Sequence, residues 1–133
     1  RPLSVAALPL DAPKLTVAIV GKYEHQDAYI SVMRALEDAS RACCARLELH
    51  RVVAETHDIL DVVLKSDAVC IPGGFGARSF EKKVDVARAC REHAVPFLGL
   101  CLGFQAAVVA FVRDQLGVLR ATTQEVESDA KPP

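Results

Sequence analysis

A chain of 133 residues with a formal net charge of −1 fits one domain or most of one, and it has no basic excess to draw it to a nucleic-acid backbone. Hydrophobic residues make up 51% and charged residues 25%, which supports a packed core and excludes a disordered chain. Aromatic residues are scarce at 5%, which argues against a base-stacking surface.

Residues 1–14 hold three of the seven prolines and show no period, so they are read as a linker, with a domain over 15–133. Leu15–Gly21 is a short apolar run ending in glycine, as expected of a strand buried on both faces. From Gln26 to Cys43, Ala28, Val32, Ala35, Leu36 and Ala39 recur at helical spacing. Ala45, Leu47 and Leu49 alternate, which predicts a second strand nearer the sheet edge. His57–Lys65 reads as a short helix with Ile59, Leu60, Val63 and Leu64 on one face. Ala68–Pro72 is a third strand, stopped by Gly73 and Gly74. Glu81–Ala94 is a helix with Val84, Ala87, Cys90 and Ala94 inward. Val95–Leu100 is a fourth strand, Gly103–Leu116 a fourth helix, and Gly117 its C-terminal stop.

This β-α-β-α-β-α-β-α order predicts an α/β fold, a three-layer, doubly wound and mostly parallel sheet of the flavodoxin-like kind. Parallel strands end on one side, where ligands bind in such sheets. The loops of interest are Gly21–Gln26, Gly73–Phe80 and Leu100–Gly103. The stretch Ala94–Val112 has nineteen residues and no charge, near the ~20 needed to span a bilayer. Pro96, Gly99, Gly103 and Gln105 interrupt it, so a buried strand feeding a buried helix is the better reading, and no membrane contact is expected.

Five cysteines (Cys43, Cys44, Cys70, Cys90 and Cys101) form no CxxC pair. Neither a disulfide framework nor a metal site is expected, and a reducing compartment, the cytoplasm, is. Gly99-Leu100-Cys101-Leu102-Gly103 has the form of a nucleophile elbow in its cysteine version. A cysteine at the start of Gly103–Leu116 meets unpaired N–H groups and the helix dipole, which favour a thiolate. The N–H of Leu102 is then placed to meet an oxyanion. The motif alone is read equally well as a buried cysteine at a tight turn. Pro72-Gly73-Gly74-Phe75-Gly76 follows the third strand, and its successive N–H groups suit an anion. One helical crossover joins strands three and four, which is compatible with neighbouring strands and with the Gly74 N–H beside Cys101.

Gly73-Gly74 upstream of Pro96–Gln105 (PFLGLCLGFQ) resembles the class I glutamine amidotransferases. Within that class three stretches resemble the CTP synthase family: Gly21-Lys22-Tyr23 with Asp27-Ala28-Tyr29 and Ser31-Val32, then Pro72–Gly76 with Arg78, then Ala121-Thr122-Thr123-Gln124-Glu125. The resemblance runs from about Val17 to Glu125. It implies that Cys101 attacks the side-chain amide of L-glutamine through a thioester and that Gly74 and Leu102 form the oxyanion hole. It also implies glutamine binding by Gly74, Leu102, Gly103, Phe104, Gln105 and Glu125, and an allosteric GTP contact at Phe75 and Arg78. It implies no cofactor in this domain. In the intact protein it implies an N-terminal synthetase domain using ATP and Mg, GTP as activator, and a homotetramer.

The base that a cysteine nucleophile needs is, in that family, a His/Glu pair lying beyond the segment matched here, and a carboxylate-binding Arg lies there too. Arg1 in place of an initiator methionine fits a chain cut from a longer one. His25 and His57 follow strands and are weak substitutes, while His93 precedes the fourth strand at the wrong sheet edge. Ser79 and Lys82 stand where the family has glycines, which predicts a reshaped loop if those glycines hold positive φ. Two further readings stay open: a non-catalytic glutaminase-like binding module, and another class I amidotransferase.

Overall fold

The computed structural model describes residues 8–9, 11–22 and 28–127. Four strands, β1 (Lys14–Gly21), β2 (Arg46–Val53), β3 (Ala68–Ile71) and β4 (Phe97–Gly99), form one sheet in the order β2-β1-β3-β4. All three pairings are parallel. Five helices follow the strands: α1 (Ile30–Ala42), α2 (Ile59–Leu64), α3 (Phe80–Glu92), α4 (Leu102–Gln115) and α5 (Gln124–Glu127). The expected α/β architecture is the one observed.

The interior strands read as continuous apolar runs because both faces are covered. Ala18, Val20, Val69 and Ile71 face α2 and α3 and pack with Ile59, Val63, Val86 and Cys90. Val17, Ile19 and Cys70 face the other way and meet Val32, Met33 and Leu36 of α1. Burial of each large aliphatic side chain stabilises by about 2 kcal/mol, so the strand register is held by both layers at once. On its outer side α3 packs against α4 through Phe80, Val84, Ala87, Leu102, Ala106, Val109 and Ala110. That contact ties the helix after β3 to the helix after β4.

Several boundaries and faces differ from the sequence reading. The first helix starts at Ile30, and the proposed start at Gln26 lies outside the described residues. Its inward stripe is Val32, Met33 and Leu36, whereas Ala35 and Ala39 are exposed. Small alanines carry little burial energy, so the larger side chains set the face. In α2 only Ile59 and Val63 are buried, and Leu60 and Leu64 are exposed. A six-residue helix presents one i, i+4 pair to a sheet, not two. Ala94 lies beyond α3, exposed, with φ 54, because the chain must reverse there to enter β4. Phe80, assigned to the loop from sequence, opens α3 and is fully buried.

The uncharged stretch 94–112 divides into a turn, β4, a tight corner and α4. Among the described residues no helix is long and apolar enough to cross a membrane.

Candidate active site

The corner between β4 and α4 is built by two glycines that no other residue can replace. A methyl group on Gly103 would lie 2.1 Å from the carbonyl oxygen of Ile71, and one on Gly99 would lie 2.6 Å from the backbone of Gly103 and Phe104. The helix therefore starts in direct backbone contact with both β3 and β4. The φ of Gly99 and Gly103 is ordinary; the strained residue between them is Cys101, at φ 51, ψ −109. Such a conformation costs a non-glycine residue about 1–3 kcal/mol. It turns the side chain out of the sheet, and Cys101 is exposed.

Cys101 is the N-cap of α4, with no side-chain cap hydrogen bond. The N–H of Gly103 donates to the Leu100 carbonyl at 2.9 Å and that of Gln105 to the Cys101 carbonyl at 3.0 Å. The Leu102 N–H makes no such bond among the described residues, as expected for the first helical residue. Its side chain is fully buried and anchors the turn.

The loop after β3 meets this corner. Ile71 pairs with Gly99 across the sheet, and the Leu100 N–H donates to the Ile71 carbonyl at 2.9 Å. A methyl on Gly73 would sit 3.4 Å from Cys101 Cβ, which places this glycine in van der Waals range of the cysteine side chain. A methyl on Gly74 would meet Lys83 Nζ at 3.6 Å and Leu102 Cδ2 at 3.7 Å. Strands three and four are thus neighbours, and both glycine-bearing loops converge on Cys101.

Gln105 lies one helical turn beyond Cys101. Its Nε2 donates to Glu125 at 2.8 Å, and its Oε1 accepts from the Thr123 hydroxyl. The sequence thus proposed two residues twenty apart, and the fold joins them. Val126 of α5 packs on the α3–α4 cluster and holds this segment against the site. Phe104 and Phe75 are both exposed beside it, the latter at 79%.

Arg78 forks onto Glu55, with Nε donating at 2.9 Å and Nη2 at 2.7 Å, and the Ser79 hydroxyl donates to the same carboxylate at 3.0 Å. Arg78 first, then Ser79, holds the Glu55 carboxyl down to about 2. At Ser79 the positive φ that would favour glycine is present. The serine itself adopts φ 63 as N-cap of α3, and its bond to Glu55 offsets part of the left-handed cost. Lys82 lies within α3.

The other cysteines differ in kind. Cys70 and Cys90 are buried, and desolvation raises both thiols, that of Cys90 to about 11. Cys43 and Cys44 are exposed at the far end of α1. Among the described residues no histidine bonds to Cys101. His57 is bonded to Asp58, His50 to Glu48 and His93 to the Ala89 carbonyl, and His25 lies outside the described residues. A cavity of about 770 Å³ opens elsewhere, beside Gly21, Tyr29, Arg51 and Thr56. No cysteine lines it, and the chemistry is read from Cys101.

Sequence reasoning missed Glu55, Thr123 and Lys83. Glu55 had no local signal, because its partners are distant in sequence; Thr123 lay within the Ala121–Glu125 stretch but was given no role there. Lys83 did have one: Phe80, Lys83, Val84 and Ala87 follow the i, i+3, i+4, i+7 spacing of a buried stripe.

A strained cysteine at a strand-to-helix corner, flanked by a diglycine loop, defines an α/β domain of the nucleophile-elbow kind. The family described as glutamine amidotransferase class-I matches residues 24–131, and the chain belongs to it. Within it, the chain is 46% identical over 125 residues to the CTP synthase of Synechococcus sp. (strain CC9605), covering 91% of this chain and 23% of that protein. It is 50% identical over 119 residues to the CTP synthase of Synechococcus sp. (strain CC9311), covering 86% and 21%. A solved Trypanosoma brucei CTPS glutaminase domain with bound acivicin superposes with a TM-score of 0.78 at 30% identity, over 88% of this chain and 47% of that one. The chain thus spans less than a quarter of the length of these curated relatives.

Proposed function

We propose that this chain is the nucleophile-bearing part of a CTP synthase glutaminase domain. Cys101 Sγ adds to the side-chain amide carbon of L-glutamine, and the carbonyl π pair moves onto oxygen. The N–H groups of Gly74 and Leu102 hold that oxyanion. Collapse, with the proton given up by the Cys101 thiol delivered to nitrogen, expels ammonia and leaves a γ-glutamyl thioester, which water cleaves to glutamate and the free thiol. Glu125, oriented by Gln105, takes the ammonium of the substrate, and the backbone at Gly103 and Phe104 lines the pocket. The observation that carries this reading is the φ 51, ψ −109 corner that presents an exposed Cys101 beside Gly73.

The ammonia then serves the amination of UTP to CTP by a synthetase domain that uses ATP and Mg, within a cytoplasmic homotetramer activated by GTP at Phe75 and Arg78. Similarity to CTP synthases at 46–50% identity supports that part. The base for Cys101 is supplied by the segment that continues the domain in the relatives.

The test is run on the complete reading frame that contains this chain, incubated with acivicin and mapped by peptide mass. The adduct is expected on Cys101 alone. Label spread over Cys43 and Cys44, with Cys101 free, would favour a non-catalytic module. The 133-residue chain by itself is expected to release no ammonia from glutamine.

A further inference from the structure

Lys83 is placed against its own interests. Its side chain is 1% exposed. Among the described residues it forms no ion pair and its ammonium makes no hydrogen bond. It lies in the first turn of α3, where the helix dipole repels a cation. Desolvation first, and the nearby Lys22 second, push its ammonium toward the neutral form. Lys22 in turn reaches the Phe75 carbonyl at 3.4 Å, so two cations flank the glycine loop. No enclosed side-chain polar atom among the described residues lacks a hydrogen bond. The Lys83 ammonium is therefore the part of that residue nearest the molecular surface. It lies 3.6 Å from where a methyl on Gly74 would stand, a position that is also 3.7 Å from Leu102 Cδ2.

Three unfavourable terms acting on one side chain are expected at a functional site, where something outside the chain offsets them. An anion seated on the Gly74 loop offsets all three together. We propose that the Lys83 ammonium is the fixed positive charge behind the oxyanion site of Gly74 and Leu102, a positioning residue that stabilises the negative charge formed on the acyl oxygen when Cys101 attacks. Lys83 stays protonated throughout and transfers nothing; the charge that forms on the substrate oxygen is matched by a charge already in place. This rests on the reading of Cys101 as the nucleophile and deepens it.

The experiment compares two alkylating agents of similar size on this chain, anionic iodoacetate and neutral iodoacetamide, with rates at each cysteine read by peptide mass. Their rate ratio at one cysteine cancels its thiolate fraction and reports the local field. Replacing Lys83 by Met is expected to lower the ratio at Cys101 about fivefold at low salt, with the ratios at Cys43 and Cys44 unchanged. Lys83→Gln is the second neutral variant. Should neither fold, the unsubstituted chain decides: added salt must lower the ratio at Cys101 more than at Cys43 and Cys44. An unchanged ratio in a folded variant, or equal salt dependence at all three cysteines, overturns the proposal. Acivicin labelling of Cys101 stays intact if only the Lys83 inference fails, and is absent if the glutaminase reading fails.

Discussion

Cys101 holds a backbone conformation that its side chain opposes, and the surrounding contacts hold it there. Glycine at this position would relieve the strain at φ 51, worth about 1–3 kcal/mol, against an unfolded-state entropy cost of about 0.5–1 kcal/mol. Cys101→Gly is therefore expected to be about 1 kcal/mol more stable than the natural chain in urea unfolding, while losing all acivicin labelling. Equal or lower stability would show that the corner is not strained. The opposite is expected of Gly103→Ala, whose methyl would meet the Ile71 carbonyl at 2.1 Å. Overpacking against rigid backbone costs about 3 kcal/mol, measurable as a lower urea midpoint. The motif Gly99–Gly103 was legible as an elbow in sequence. The reason for glycine at position 103 was not, because the clashing atoms belong to Ile71 of β3, more than thirty residues upstream.

At the scale of elements, the loop between β3 and α3 is tied to the end of β2 by Glu55, Arg78 and Ser79. Glu55 has its carboxyl lowered from 4.5 to about 2. A depressed acid stabilises fully above its unfolded value, so this contribution is present above about pH 4.5 and fades as pH falls toward 2. The groups are solvent-exposed, so the effect is small. Glu55→Gln is expected to lower the melting temperature at neutral pH, and the gap to the natural chain should close between pH 4.5 and 2. A gap that persists unchanged at pH 2 would assign the loss to shape rather than charge. Element order and the inward stripe of α3 were readable from periodicity. The faces of α1 and α2 were misread in part, because short or alanine-rich helices offer more apolar positions than a sheet can cover.

Across the whole molecule, one side of the sheet edge is unclothed. Leu98 of β4 and Phe104, Val108 and Phe111 of α4 are exposed, as are Leu116 and Leu119 after it. Phe104, Val108 and Phe111 recur at the i, i+4, i+7 spacing of one helix face, the kind of apolar surface that favours association, and β4 is also an unpaired parallel edge among the described strands. The 133-residue chain is expected to bind a hydrophobic dye and to self-associate with concentration in sedimentation velocity. Phe104→Ser with Phe111→Lys should reduce both signals. A monomer with no dye binding at high concentration would contradict this.

The amino-acid sequence by itself determined the alternation of strand and helix, the parallel sheet and the corner on which Cys101 sits, because these follow from local periodicity and from glycine punctuation; that Cys101 is exposed there came from the structure. Only the tertiary structure decided which loops share the rim with Cys101, that Gln105 is braced by Glu125 and Thr123, and that Lys83 sits beneath Gly74. Those facts depend on distances between residues far apart in the chain. No local pattern encodes such distances until the sheet brings β3 and β4 side by side.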